Sequence, residues 1–360
     1  MNPYSLRNTV FGFLYQKILK PILFTIDPEH VHNTFTFIGR HLGSFQWTQQ
    51  LIGKMFDSSH PILEQTIAGI HFKNPIGLAA GFDKDARLTQ ILPRVGFGFE
   101  EVGSITANPY QGNPKPRLWR HPDLQSLRVY YGLKNDGAQA IFKHLQSFSF
   151  QIPIGISIAK TNCQETAQTQ TAIEDYVKTY QIFSSIGSYD TINISCPNAY
   201  GGQPFTDPEH LDHLLKAINA VRNEKPLFLK MSPDLSQDEL ETIAKVAQKH
   251  EVNGFICTNL TKKHSYGNGG LSGKPVSDLS LEQIRYLYNY FNGKKILIAC
   301  GGIFTAKDAY SYIKAGASLL QLITGMIYKG PQVISEIKFG LEKLLKQDGF
   351  KNISEAVGKE

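Results

Sequence analysis

Six consecutive residues, Asn193-Ile194-Ser195-Cys196-Pro197-Asn198, gather two amides, a hydroxyl and a thiol at the end of an apolar run. Few structural motifs need that combination. An unperturbed thiol ionises near pH ~8.5, so a tuned environment makes Cys196 a proton acceptor or donor. Asn193 and Asn198 each offer donors and acceptors, which suits a planar polar molecule. The competing reading of Cys196 is a small buried hydrophobe; Pro197 and the two flanking amides weigh against it.

Lys230 lies inside the apolar run Phe228-Leu229-Lys230-Met231. A lysine facing an interior needs an anionic partner, and the chemistry it would serve is charge stabilisation on an electron-accepting ring. Because strand residues alternate, the other reading has Lys230 pointing outward between helices. In Ala79-Ala80-Gly81-Phe82-Asp83-Lys84 the small residues admit a flat ring and Lys84 can reach an anion, while an Asp83 and Lys84 pair could equally be a solvated surface feature. Cys300-Gly301-Gly302-Ile303 and Ile323-Thr324-Gly325 are glycine turns that end strand-like runs. Backbone N–H groups there bind phosphate, so a phosphorylated cofactor is expected. The Gly269-Gly270-Leu271-Ser272-Gly273 loop adds backbone donors or is simply mobile. No dinucleotide fingerprint, P-loop or zinc-protease motif occurs. His30 and His32, like His210 and His213, lack companion ligands and read as surface or core residues, so no metal site is expected.

These residues need a scaffold that brings them to one end. From Asn74 onward, eight short apolar runs (75–80, 97–106, 153–159, 191–196, 227–231, 254–258, 295–299 and 318–324) alternate with helical stretches. That is the pattern of a (β/α)8 TIM barrel in the α/β class, in which chemistry gathers at the C-terminal strand ends. Ser236 and Glu239 form a capping box that opens a helix over 236–250, and a last helix follows Gly330-Pro331 over 332–345. The segment 108–151 is too long for an ordinary connection, which predicts a lid or a small antiparallel excursion beside the site.

Residues 1–60 form a helical segment of different texture, and residues 61–360 form the barrel. The first segment is rich in aromatic and aliphatic residues but is broken by Lys17, Lys20 and Pro21, too often for a bilayer span of ~20 apolar residues. Its apolar faces either pack on the barrel or make a monotopic membrane contact. Across the 360 residues, 41% are hydrophobic and 19% charged, which supplies a core and excludes disorder. A formal net charge of +6 suits an anionic ligand, a membrane surface or RNA alike. Four scattered cysteines exclude a disulfide framework and fit a reducing compartment. No secretory signal is expected.

Together these motifs resemble the dihydroorotate dehydrogenase family over nearly the whole chain. The resemblance rests on Asn74-Pro75-Ile76-Gly77-Leu78-Ala79-Ala80-Gly81-Phe82-Asp83-Lys84, Gly112-Asn113-Pro114-Lys115-Pro116-Arg117, the hexapeptide at 193–198, Gly270-Leu271-Ser272-Gly273 and Gly301-Gly302-Ile303. Asp27-Pro28-Glu29-His30-Val31-His32 and the surrounding helices look like the N-terminal extension of class 2 enzymes, which associate with membranes and pass electrons to quinone. The resemblance implies FMN-dependent oxidation of dihydroorotate to orotate in de novo pyrimidine biosynthesis, with a quinone acceptor. It also implies a peripheral place on the cytoplasmic face of the inner membrane. It surrounds FMN with Ala80, Gly81, Ser104, Ser157, Asn193, Lys230, Thr258, Gly273, Gly302, Ile323 and Thr324. Lys84, Gly132, Leu133, Asn193, Asn198 and Asn259 would hold the substrate. In the family reaction a base removes a proton from C5 of dihydroorotate and hydride passes from C6 to flavin N5; Cys196 stands at the base position.

The chain departs from the family at four positions. Class 2 enzymes resemble one another in a serine at the base position and soluble class 1 enzymes in a cysteine, so Cys196 mixes class markers. Val129 replaces a substrate-contacting asparagine, Ser157 an asparagine near the flavin, and Leu260 a threonine. Two alternatives follow: a divergent FMN-dependent paralogue with another substrate, and a catalytically silent membrane-bound flavoprotein, against which Cys196 and Lys230 argue. A tRNA dihydrouridine synthase would carry a C-terminal RNA-binding extension, so no nucleic-acid partner is expected.

Overall fold

The alternation of apolar runs and helices closes a barrel of eight parallel strands in a computed structural model that describes residues 3–360. The strands are β1 Ile76–Leu78, β2 Phe99–Ile105, β3 Ile154–Ile158, β4 Tyr189–Asn193, β5 Leu227–Met231, β6 Gly254–Cys257, β7 Ile296–Cys300 and β8 Leu319–Leu322, neighbours in sequence being neighbours in space. All eight expected runs become strands, and β5 keeps its expected bounds. β4 is displaced toward the N-terminus of its run. It begins earlier because buried Asp190 is neutralised by Lys225 Nζ at 2.9 Å. It ends earlier because the Ser195 backbone N–H donates to the Asn193 side-chain Oδ1 (3.1 Å) instead of continuing a ladder. Cys196 therefore sits on a loop beyond the strand.

Alternation along the strands sorts the barrel lumen into layers. Phe99, Tyr189, Phe228, Ile256, Ile298 and Leu319 fill its lower part, closed by Phe72 from a two-stranded hairpin (Gln65–Ile67 and Ile70–Phe72). Two residues further along the strands the lumen turns polar, with Glu101, Thr191, Lys230 and Gln321. The opposite strand faces, such as Ile154, Ile156 and Leu229, pack against the helices as one continuous core. Those helices start where the sequence marks them. Ser236 and Glu239 cap Gln237–Lys249 reciprocally, and the last helix runs Val333–Gln347.

The long segment after β2 makes the expected antiparallel excursion: Leu118–His121 pairs with Ser126–Val129, and Gly270–Leu271 adds a third strand. At the N-terminus, α1 Pro3–Leu14 continues through a π turn into α2 Lys20–Thr25, followed by α3 Pro28–Gly43 and α4 Gln46–Phe56. Asp27-Pro28 is a helix start: the Asp27 carboxylate accepts from His30 N (2.8 Å) and proline takes the first turn, where its missing N–H costs nothing. Polar ties dock these helices, including Tyr15 Oη to Ile327 O (2.6 Å), Gln16 Nε2 to Tyr328 O (2.6 Å) and Arg120 to Ile26 O (2.7 Å). Phe13, Phe37 and Trp47 nevertheless stay 59%, 63% and 67% exposed. Among the described residues no helix is long and apolar enough to cross a membrane.

Candidate active site

A cavity of about 310 Å³ opens at the C-terminal ends of the strands and runs out between the barrel and the N-terminal helices. Its inner wall carries Ala80, Gly81, Lys84, Lys230, Asn259, Gly273, Gly302, Ile323 and Thr324; its outer wall includes Tyr15, Leu23, Phe24, Val31 and Phe35.

Lys230 enters the lumen because it shares the strand face of Phe228, which fills the layer below. Only 2% exposed, it lies 3.9 Å from Glu101 Oε1. Glu101, which the sequence reading did not single out, is anchored on its other oxygen by Gln321 Nε2 (2.8 Å), Thr191 Oγ1 (3.3 Å) and Tyr189 Oη (3.4 Å). The counterion that a buried lysine requires thus comes from a neighbouring strand in the same polar layer of the lumen. At 3.9 Å it leaves the ammonium donors free for a ligand.

Above Lys230 the polar residues hold one another. Asn193 Nδ2 donates to Ser104 Oγ (2.7 Å), which meets Ser157 Oγ (2.7 Å). Asn193 Oδ1 accepts from Ser195 Oγ (2.8 Å), and Asn259 Nδ2 donates to that hydroxyl (3.0 Å). Ser104, Ser157 and Asn193 therefore lie behind the cavity wall. Asn259 reaches the cavity, its Oδ1 without a hydrogen-bond partner among the described residues.

Cys196 is absent from the lining of this cavity. Its loop is pinned by Lys160 Nζ to Tyr200 O (2.6 Å), Asn162 Oδ1 accepting from Tyr200 N (2.6 Å), and Gln203 Nε2 to Ser195 O (3.1 Å). Burial pushes the Cys196 thiol up, while the backbone N–H groups of Asn198 and Ala199 and the Lys160 ammonium pull it back. Asn198 donates through Nδ2 to Val129 O (2.8 Å), and its buried Oδ1 has no partner among the described residues. Gly132 and Leu133 contribute carbonyls to Asn162 Nδ2 (2.9 Å) and Asn135 Nδ2 (2.9 Å) on the excursion.

The Asp83 side chain is not a solvated surface feature. It is 1% exposed and accepts from the backbone N–H groups of Arg87 (2.8 Å) and Leu88 (2.6 Å), which fixes the turn that presents Lys84. Glu100 sits buried beside it, and burial together with the Asp83 charge pushes its carboxyl well above the usual range. Lys84 has no ion pair among the described residues. Its Nζ meets His32 Nε2 at 3.3 Å and lies 4.2 Å from the centre of the Tyr131 ring. Burial lowers its pKa to about 8. His32 is thus a cavity residue rather than an incidental histidine.

Two features fit a phosphorylated flat cofactor. A Cβ at Gly81 (φ +108°) would project into open space, the nearest atom being Ile323 Cδ1 at 4.0 Å. Beside the polar layer the Thr258 hydroxyl is buried without a partner among the described residues. Among the described residues the N–H groups of Gly302 and Ile303 also lack partners, and those of Thr324 and Gly325 open a helix and have none within it. Four free donors on adjoining turns can receive a phosphate. No group of histidine, cysteine and carboxylate side chains among the described residues is arranged to hold a metal.

The family model described as Dihydroorotate dehydrogenase matches residues 62–345. The "Dihydroorotate dehydrogenase (quinone)" of Acaryochloris marina is 38% identical over 373 aligned positions, which cover 96% of this chain and 99% of that one. The protein of the same name from Acidithiobacillus ferrooxidans is also 38% identical, with 95% and 98% covered. Among solved structures, DHODH from Eimeria tenella in complex with ferulenol superposes with a TM-score of 0.83 at 31% identity, over 92% of this chain and 95% of that one.

Proposed function

The chain belongs to the dihydroorotate dehydrogenase family, and from that membership we propose how its residues divide the work. The enzyme is a flavin-dependent dihydroorotate dehydrogenase of the quinone-using class, acting in pyrimidine biosynthesis. We assign the flavin as FMN. Its phosphate would sit on the N–H groups after β7 and β8, and its ring would lie against Ala80 and Gly81 over Lys230 and Thr258. Bound there, FMN supplies a two-electron acceptor.

The chain's own groups then have separate tasks. Lys84 pairs with the substrate carboxylate, having lost its hydration without gaining a carboxylate partner. Asn198 Oδ1 is an unspent acceptor for a ring N–H, and Asn259 presents a second amide. Val129 and Leu260 make this shell less polar than the family pattern, and the Val129 carbonyl orients the Asn198 amide. Cys196 stands at the base position of the family reaction and, as the thiolate, would take the C5 proton at Sγ, its loop closing on the ring from beyond the cavity lining. Lys230 holds a fixed positive charge below the ring. The N-terminal helices, as one unit with residues 1–60, guide the quinone into the outer cavity and rest on the cytoplasmic face of the membrane through their exposed apolar side chains. The barrel unit, 61–360, carries the flavin.

The observation that carries this reading is the continuity of one cavity, from two lysines at the strand ends to an apolar mouth between the N-terminal helices. Anaerobic mixing of the purified holoenzyme with dihydroorotate, followed by flavin absorbance, tests it. Bleaching is expected, with colour returning on addition of a quinone. No bleaching overturns the reading. Acid-released cofactor should be FMN at one per chain; FAD would overturn that assignment.

A further inference from the structure

Glu29 and His32 stand three residues apart on α3 and so share one helix face. Glu29, 5% exposed, is gripped in a two-pronged ion pair by Arg117: Nη2 to Oε1 is 2.7 Å and Nε to Oε2 is 3.0 Å. The Arg117 guanidinium gives both Nη1 donors to the carbonyls of Gln111 (2.7 Å) and Asn113 (2.9 Å), so this end of the helix is fixed to the excursion. A Cβ at Gly112 would come within 2.1 Å of Arg117 Nη1, which is why glycine stands there. One turn on, the His32 ring meets Phe82 edge-on at 4.9 Å, and its Nε2 faces Lys84 Nζ at 3.3 Å. Tyr131 completes the enclosure, with the Lys84 ammonium 4.2 Å and the Arg117 guanidinium 5.2 Å from its ring centre.

We propose that His32 is a positioning residue for the substrate: from the N-terminal helices it holds the Lys84 ammonium against Tyr131, with its remaining N–H groups directed at a ligand carboxylate. The proposal rests on the assignment of Lys84 to the substrate anion made above and extends it to a segment otherwise given only to the electron acceptor.

The donor and acceptor roles are chemically determined. An ammonium has three N–H groups and no acceptor, so the contact requires a neutral imidazole with its proton on Nδ1 and a lone pair on Nε2. Burial and the Lys84 and Lys134 charges hold His32 well below its ordinary value, which keeps it neutral. One Lys84 donor goes to His32 and two remain, enough for a carboxylate. A long flexible side chain fixed in advance binds its ligand more tightly than one that must be ordered on binding.

The test compares His32→Leu and His32→Gln in the full-length holoenzyme. Flavin content and melting temperature establish that both fold. Leucine keeps the helix and removes the acceptor; glutamine offers Oε1 near the position of Nε2. In His32→Leu, the orotate Kd, read by calorimetry and by perturbation of the flavin spectrum, is expected to rise about tenfold. The KM for dihydroorotate should follow it, and the loss should fall on these constants rather than on the flavin reduction rate at saturation. His32→Gln should recover most of the affinity. An unchanged orotate Kd in His32→Leu overturns the proposal, as does an equal loss in both variants, which would report packing alone. A shift confined to the quinone KM overturns it too and leaves His32 to the acceptor end. Lys84→Ala separates the two levels: if it leaves orotate binding intact, the Lys84 assignment fails and this proposal with it. If Lys84→Ala weakens orotate and His32→Leu does not, only the proposal fails.

Discussion

At the strand ends Ser104, Ser157, Asn193, Ser195 and Asn259 satisfy one another through hydrogen bonds of 2.7 to 3.0 Å. On the N-terminal helices Phe13, Phe37 and Trp47 are each more than half exposed. The first region has spent its polar groups on itself and so has fixed shape. In such a region an unpaired group costs about 1–3 kcal/mol, which makes it a discriminator. The second region has left apolar surface unspent, and apolar attraction is non-directional, so it favours partition and entry rather than recognition. A molecule that must choose its substrate strictly and its electron acceptor by solubility needs both kinds of wall around one cavity.

The sharpest way to break this contrast is to remove a group from the ordered side. Cys196→Ala should slow flavin reduction by dihydroorotate about 10²- to 10⁴-fold, the usual contribution of a general base. Flavin content should be retained. Stopped-flow absorbance under anaerobic conditions reads it, and an unchanged rate would take Cys196 out of the base role. Cys196→Ser should fall between, because a hydroxyl ionises far less readily than a thiol.

Lys230 offers a second break. Lys230→Met leaves the Glu101 carboxylate in the lumen without its counterion, and stability should fall by about 3–5 kcal/mol. Adding Glu101→Gln should return most of that stability without returning flavin reduction. Thermal melts of the single and double variants, run beside the kinetics, separate the structural role of the pair from the chemical role of the ammonium. A double variant as unstable as the single one would show that the loss comes from packing.

What the sequence revealed of these two walls follows the range of the interactions. β5 was readable end to end, and so was the lumen-facing Lys230, because local alternation decides both. The partner of Lys230 was not, since Glu100-Glu101 is a pair of ionisable residues inside β2 and no local pattern says that a strand will bury both. One faces the lumen; the other shares its burial with Asp83. The bounds of β4 are not local either: they are set by a buried Asp190 whose neutralising Lys225 lies on another connection and by the Asn193 side chain ending the ladder. Cys196 was legible as a chemical group, but its place outside the cavity lining was not, because a loop's course is set by the tertiary ties of Lys160 and Asn162. His32 has no companion ligand beside it in sequence, and its partner, Lys84, lies 52 residues away.

A smaller effect sharpens the electrostatics of the ordered side. With the Lys84 pKa lowered to about 8 by burial, its cationic form prevails below that pH and is lost above it. Orotate stays an anion across this range, so its affinity should be constant below about pH 8 and weaken by up to tenfold per unit above. Calorimetry from pH 6 to 9.5 measures this without involving the Cys196 thiol, which binding of the product does not require. Lys84→Met should bind weakly and with no such break; a break that persists would belong to another group.

The mildest test falls on the unordered wall. Phe37→Ser combined with Trp47→Ser removes two large apolar side chains that touch little of the barrel. Full burial of such a side chain contributes about 1.5–3 kcal/mol, and partial entry into a headgroup region gains a fraction of that, so partition onto anionic lipid vesicles should weaken about tenfold. Flavin reduction by dihydroorotate in solution should not change, because the strand ends are untouched. Reoxidation by a quinone dissolved in the vesicles should slow with the partition, while a short-chain, water-soluble quinone should remain as effective as before. That pattern would place the helices' contribution at delivery rather than at chemistry. Unchanged vesicle binding would mean that these side chains face water, and the contrast between the two walls would then lose its functional meaning.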